Sequence, residues 1–242
     1  MDARDIAYQQ ARDFLERRRL SIACGGDSHG SKLAFKLGTE LGFRRTSGMH
    51  ILRVRGNLRH FAIGGATVAR YRNSGLFGRL LACRAPVTLI TIGGNDLDAT
   101  PVLEAQRYVT KRRVLQDVMS LIRDLENHGK VVYFLEIPTR FSCRERGSFH
   151  ELIDDIRYVN RRICKLIKGR YIPIPCPLFS EGRDAFERSN RRGHNVSEYV
   201  HYRDGGYRRI ARQVIEQIVT DLSTGRTPPS RMKLHVSEDF PN

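Results

Sequence analysis

Five short apolar runs set the strongest limit on how this chain can fold: "LSIAC" (20–24), "HFAIG" (60–64), "PVTLITIG" (86–93), "VVYFLEI" (131–137) and "YIPI" (171–174). A strand with one wet face alternates apolar and polar residues. Runs that do not alternate suit strands buried on both faces, as in a parallel sheet covered by helices. The segments between them have helical period. Over 102–128, Tyr108, Leu115, Val118, Met119, Ile122 and Leu125 form a stripe, and over 148–168 Phe149, Leu152, Ile153, Ile156, Ile163 and Leu166 do the same. A last helix near 205–222 carries Tyr207, Ile210, Val214, Ile215 and Ile218 on one face, with Asp204 placed to cap it. This alternation predicts an α/β fold, a three-layer α/β/α sandwich around a central, mostly parallel five-stranded sheet with right-handed crossovers.

With 242 residues the chain has room for one sizeable domain. That domain is expected over 20–222, preceded by an amphipathic helix over 1–19 that packs Ala7, Ala11, Phe14 and Leu15 on it, and followed by a flexible tail over 223–242 rich in Pro, Ser, Thr and charge. "HILRVRGNLRH" at 50–60 is expected to add a small strand or hairpin. No internal repeat is visible.

In an open α/β sheet, ligands sit at the carboxyl ends of the strands, where loops lead into helices. After the first run comes Gly25-Gly26-Asp27-Ser28-His29-Gly30, after the second Gly64-Gly65-Ala66-Thr67, and after the third Gly93-Gly94-Asn95-Asp96. Each alone is compatible with an ordinary tight turn or helix cap. Together they supply what acyl transfer needs: a hydroxyl near a helix N-terminus, a backbone N–H at a glycine that a tetrahedral oxyanion can approach, and a side-chain amide donor. Serine also needs a base. Of the eight histidines, His201, just before the final helix, is the one returned to the same sheet edge.

These blocks resemble the SGNH, or GDSL-type, hydrolase superfamily over roughly 20–218. "GGDS" ends at Ser28 after Asp27, "GGAT" offers Gly65, "GGND" contains Gly93, Asn95 and Asp96, and "HYRDGGYRRIA" runs from His201 through Gly206 and Tyr207. The resemblance implies a flavodoxin-like sheet and a two-step ester hydrolysis without metal or cofactor. In it Ser28 is the nucleophile and His201 the base, the oxyanion is held by the Ser28 and Gly65 backbone N–H groups and the Asn95 amide, and the substrate is an acetyl or other short acyl ester. Asp27, Gly93 and Asp96 are supporting members of the motifs. One block departs: three residues before the histidine the family has Asp, and this chain has Glu198. Glu198 completes a triad if the loop is displaced to suit its longer stem; the alternatives are a Ser–His dyad helped by a backbone carbonyl, or a site without activity. His29 is assigned no catalytic role.

Charge keeps a second class of function open. The formal net charge is +16, from 42 Lys and Arg against 26 Asp and Glu. The basic residues fall in clusters that include Arg112 and Arg113, Arg161, Arg162 and Lys165, and Arg191 and Arg192. Such clusters either form a surface for RNA or DNA or stand as separate solvated faces. Retroelement-encoded members of the resembled superfamily share this basic, cysteine-poor character, so the chain is also compatible with one domain of a larger polyprotein. The five cysteines show no CxxC spacing or close pairs, which argues against a zinc site or a disulfide framework and for a reducing compartment. With no signal-peptide pattern and no apolar run of bilayer length, the expected setting is cytoplasmic or nuclear, without membrane insertion. Oligomeric state is left open by the sequence.

Overall fold

Strands β1 (Ile22–Gly26) and β5 (Val87–Thr91) are buried at every residue, as runs without polar alternation require. The computed structural model describes residues 22–40, 45–46, 53–54, 58–98, 104–140, 149–175, 186, 189–190, 197–198 and 201–225, together with 10 and 13. The remaining strands of the main sheet are β2 (Arg45–Thr46), β3 (Arg53–Val54), β4 (Leu58–Ala62), β6 (Val131–Leu135) and β7 (Tyr171–Ile172). Their spatial order is β2-β3-β4-β1-β5-β6-β7. Pairing is parallel from β4 through β7, with Gly26 opposite Ala62 on one side and Thr91 on the other.

The expected five parallel strands are therefore present, and two short antiparallel strands extend the sheet. The segment over 50–60 supplies one of them, since β3 pairs with β4 through Arg53 and Arg59. β1 lies between β4 and β5, so the chain steps to one side of β1 and then crosses to the other. In doubly wound sheets such a reversal marks the edge where ligands bind, which here lies beyond the carboxyl ends of β1 and β5.

Successive side chains along each strand point to opposite faces. Ile22, Cys24, Val87, Leu89, Tyr133 and Leu135 enter a core shared with α1 (Ser28–Glu40) and α7 (Asp204–Ser223). Ala23, Ile90, Val132 and Phe134 enter the opposite core with α2 (Val68–Arg72), α3 (Gly75–Ala82), α5 (Glu104–Asn127) and α6 (Phe149–Ile167). Helix α4 (Gly94–Asp98) is a single short turn after β5.

The helix margins and the cap of the last helix are corrected. Tyr108 and Leu166 sit at the margins of their stripes and are 53% and 45% exposed, while Val114, Leu121, Val159 and Ile167 take core positions. Asp204 is the first residue of α7 rather than its cap; Arg203 occupies the cap position without a side-chain cap bond. Asp204 instead meets Lys36 of α1 at 2.5 Å, a tertiary ion pair. Of the segment 1–19 only Gln10 and Asp13, both helical, are described; the rest of it, and the tail from 226 on, lie outside the described residues.

Candidate active site

Ser28 stands at the first position of α1 because β1 ends in a turn that only glycine permits. Gly26 has φ +111°, and a Cβ there would lie 2.0 Å from the Thr91 carbonyl oxygen. The turn is pinned on both sides: Ile63 N–H donates to Gly26 O at 2.9 Å, and Asp27 N–H donates to Thr91 O at 3.1 Å. Asp27 Oδ1 accepts the His29 N–H at 2.9 Å, capping the first turn of α1 from within the core. Burial pushes this carboxyl up to about 6, against the opposing pull of Arg140 and of backbone N–H groups.

His201 Nε2 lies 2.8 Å from Ser28 Oγ across 173 residues of sequence. The loop carrying the imidazole is anchored by buried Tyr202, which forms an antiparallel bridge with Phe186 and packs against its ring, the centroids 4.5 Å apart and the planes tilted by 32°. Arg203 Nε donates to Phe186 O at 3.1 Å and braces the same loop. Ser28 and His201 are both half-buried, so the pair is held by the core yet open to a reactant. His29 does not point away from this pair: it is buried with its ring 5.0 Å from that of His201, and its Nδ1 is 2.7 Å from the Tyr207 hydroxyl. Burial, with His201, Arg140 and Lys32 nearby, holds His29 well below the ordinary histidine range.

The second and third blocks are clasped to each other. Asn95 Nδ2 donates to Ala66 O at 3.0 Å, and both carboxylate oxygens of Asp96 accept the Val68 N–H at 3.1 Å. Burial raises the Asp96 carboxyl to about 6 in spite of that bond. Gly65, at φ +69°, is exposed at the turn after β4. Gly93, at φ +113°, lies two residues past β5 and immediately before α4. Glu198 lies in a two-residue strand, β9 (Ser197–Glu198), paired with β8 (Ser189–Asn190) opposite Ser189. Its side chain lies outside the described residues.

Arg140 was not singled out by sequence. It comes from the loop after β6 and is 1% exposed, with Nη1 on Asp98 Oδ2 at 3.1 Å and Nη2 on Asn95 Oδ1 at 3.0 Å. The signal was available: "EIPTR" at 136–140 follows the fourth strand as the glycine blocks follow the other three.

Arg112 and Arg113 on α5, and Arg161, Arg162 and Lys165 on α6, are exposed on neighbouring helices of one sheet face. Lys111 links the two helices through Asp155 at 3.0 Å and lies 5.3 Å from the Tyr158 ring, with Arg162 5.6 Å from the same ring. Arg112 lies 5.8 Å from the half-exposed Tyr108 ring. Arg191 and Arg192 lie outside the described residues. Among the described residues no group of His, Cys, Asp and Glu is arranged to hold a metal ion, and no helix is long and apolar enough to cross a membrane.

No family model matches the chain, and no curated protein matches it by sequence. Solved structures do. The chain is similar to a candidate SGNH hydrolase from Slackia heliotrinireducens, with TM-score 0.57 and 14% identity over 82% of this chain and 98% of the other. A candidate acylhydrolase from Bacteroides fragilis gives TM-score 0.55 and 13% identity over 92% and 99%. The OSK domain of Drosophila Oskar gives 0.51 and 20% over 82% and 88%. At such identities the likeness speaks to architecture alone, and on that basis the chain has the α/β/α fold of the SGNH, or GDSL-type, hydrolases.

Proposed function

We propose that the chain is a serine esterase acting on acetyl or other short acyl esters. The observation that carries this reading is the 2.8 Å contact between Ser28 Oγ and His201 Nε2 at the carboxyl edge of the sheet. Ser28 gives its proton to His201 as its oxygen bonds to the acyl carbon. The carbonyl electron pair moves onto oxygen, where the Ser28 N–H, the Gly65 N–H and the Asn95 amide receive it. The tetrahedral adduct then expels the alcohol, which leaves with the proton from His201. Water attacks the acyl-serine with His201 again as base, releasing the acid and restoring the hydroxyl. Glu198 or a backbone carbonyl holds the imidazole in the tautomer with its proton on Nδ1. Removing one oxyanion donor typically costs about 3–4 kcal/mol in the transition state, so Asn95→Ala lowers kcat accordingly.

The test is hydrolysis of p-nitrophenyl esters of graded chain length. Turnover that is highest on the shortest chains and absent from Ser28→Ala supports the reading; equal rates for the two proteins overturn it. Two buried free thiols, Cys24 and Cys83, support a reducing intracellular setting.

A second reading rests on the α5–α6 face. Exposed cations flanking Tyr108 and Tyr158, on a chain of net charge +16, have the chemistry of a surface for RNA or DNA. This role does not compete with the ester site, which lies at the sheet edge. Binding that weakens steeply with added salt supports it, and salt-independent binding or none overturns it.

A further inference from the structure

We propose that Arg140 is a positioning residue of the hydrolytic site and acts through Asn95; this rests on the esterase reading above. A carboxamide has one donor end and one acceptor end of nearly the same shape, so an oxyanion donor built from asparagine must be prevented from turning over. The two partners of Asn95 settle its orientation chemically. A guanidinium can only donate, so the atom it meets is Oδ1, at 3.0 Å. The Ala66 carbonyl can only accept, so the atom it meets is Nδ2, at 3.0 Å. One Nδ2 hydrogen is taken by Ala66, and the second remains for the oxyanion. The guanidinium charge beside Oδ1 also draws electron density from the amide nitrogen and strengthens that remaining donor.

The guanidinium is placed with care for these two contacts. Asp98 holds the Nη1 end at 3.1 Å, and Gly94 leaves room for the plane, since a Cβ there would lie 2.7 Å from Nη2. Arg140 Nε, in turn, is buried with no hydrogen-bond partner among the described residues. A buried ion pair adds little net stability over apolar side chains of the same volume, so stability alone does not account for a wholly buried arginine with an orphaned donor. Its fork spans Asp98 and Asn95 at once, which the single ammonium of lysine does not reproduce.

The test is a double-mutant cycle on p-nitrophenyl acetate with wild type, Arg140→Met, Asn95→Ala and the combined variant, with Ser28→Ala as control. A lost oxyanion donor typically lowers kcat by about 100- to 1000-fold, and Arg140→Met is expected to lower it by about 10- to 100-fold with KM changed by less than about 3-fold. In the Asn95→Ala background the same change is expected to lower kcat by less than about 3-fold, because its route is already gone. Arg140→Lys is expected to recover part of the loss. If Arg140→Met does not give a cooperative thermal transition, Asp98→Asn, which removes the carboxylate that holds the fork and leaves the Arg140 charge in place, enters the same cycle with the same expectation. An equal fall in kcat in both backgrounds, or no fall in either, overturns the proposal. Ser28→Ala turning over at the wild-type rate overturns the esterase reading instead, so the two failures are told apart.

Discussion

The carboxylate of Asp27 accepts the backbone N–H of His29 at 2.9 Å from inside the core, directly beneath the serine it precedes. Burial pushes its carboxyl from 3.8 up to about 6. An acid whose value is raised by folding opposes the fold when ionised. The cost is absent below its unfolded value, grows as pH rises toward the folded value, and is constant above it. Asp27→Asn keeps an oxygen for the His29 N–H and removes the charge. Its stability relative to wild type is expected to rise between about pH 4 and pH 6 by roughly 1–3 kcal/mol and then level off. Denaturation midpoints at a series of pH values check this, and a difference that does not change with pH contradicts it.

Gly26→Ala tests the turn that delivers Ser28. The residue has φ +111°, and the added carbon would lie 2.0 Å from Thr91 O, where β1 and β5 are hydrogen-bonded and neither can move aside. The expected loss is on the order of 3 kcal/mol or more, read as a fall in the urea midpoint. A variant within about 0.5 kcal/mol of wild type would mean the turn is not built this way.

Tyr207→Phe tests the support under the imidazole pair. His29 is buried and its Nε2 has no hydrogen-bond partner among the described residues, so the Tyr207 hydroxyl at Nδ1 is the bond its ring relies on. Removing that hydroxyl leaves a buried nitrogen unsatisfied and is expected to cost about 1–3 kcal/mol by thermal unfolding. An unchanged midpoint would show that the hydroxyl makes no such bond in solution.

What could be read from sequence follows from what is local. Ile22 to Cys24 and Val87 to Thr91 reveal a two-sided buried strand because every residue in the run is apolar or small, and the glycine blocks reveal strand ends because no other residue makes such turns. Tyr108 and Leu166 fall within the predicted stripes because a stripe in sequence has no sharp edge; which marginal residue is covered depends on the neighbouring helix. Asp204 was read as a cap because that is its local preference, and the competing partner, Lys36, comes from a helix more than 160 residues away. Arg140 was passed over for the same reason. An arginine in a loop reads as a solvated charge until Asp98 and Asn95 are seen to converge on it.

The α5–α6 face gives a prediction of its own. Each Arg or Lys that neutralises a phosphate contributes close to one to the dependence of log affinity on log salt. Arg112→Ala and Arg162→Ala, both exposed, are each expected to lower that slope by about one on a DNA duplex, without changing the unfolding midpoint. Slopes equal to wild type in both variants would move the binding surface elsewhere or remove it.

The central claim is that the Ser28 hydroxyl, with His201 as its base, is the attacking group, and covalent capture tests it most directly. A fluorophosphonate probe followed by peptide mass analysis is expected to place one adduct on Ser28, to give none in Ser28→Ala, and to react at least about 1000-fold more slowly in His201→Ala. Label retained by Ser28→Ala at the wild-type level, or a Ser28 that stays unmodified in the folded wild-type protein, would contradict the account.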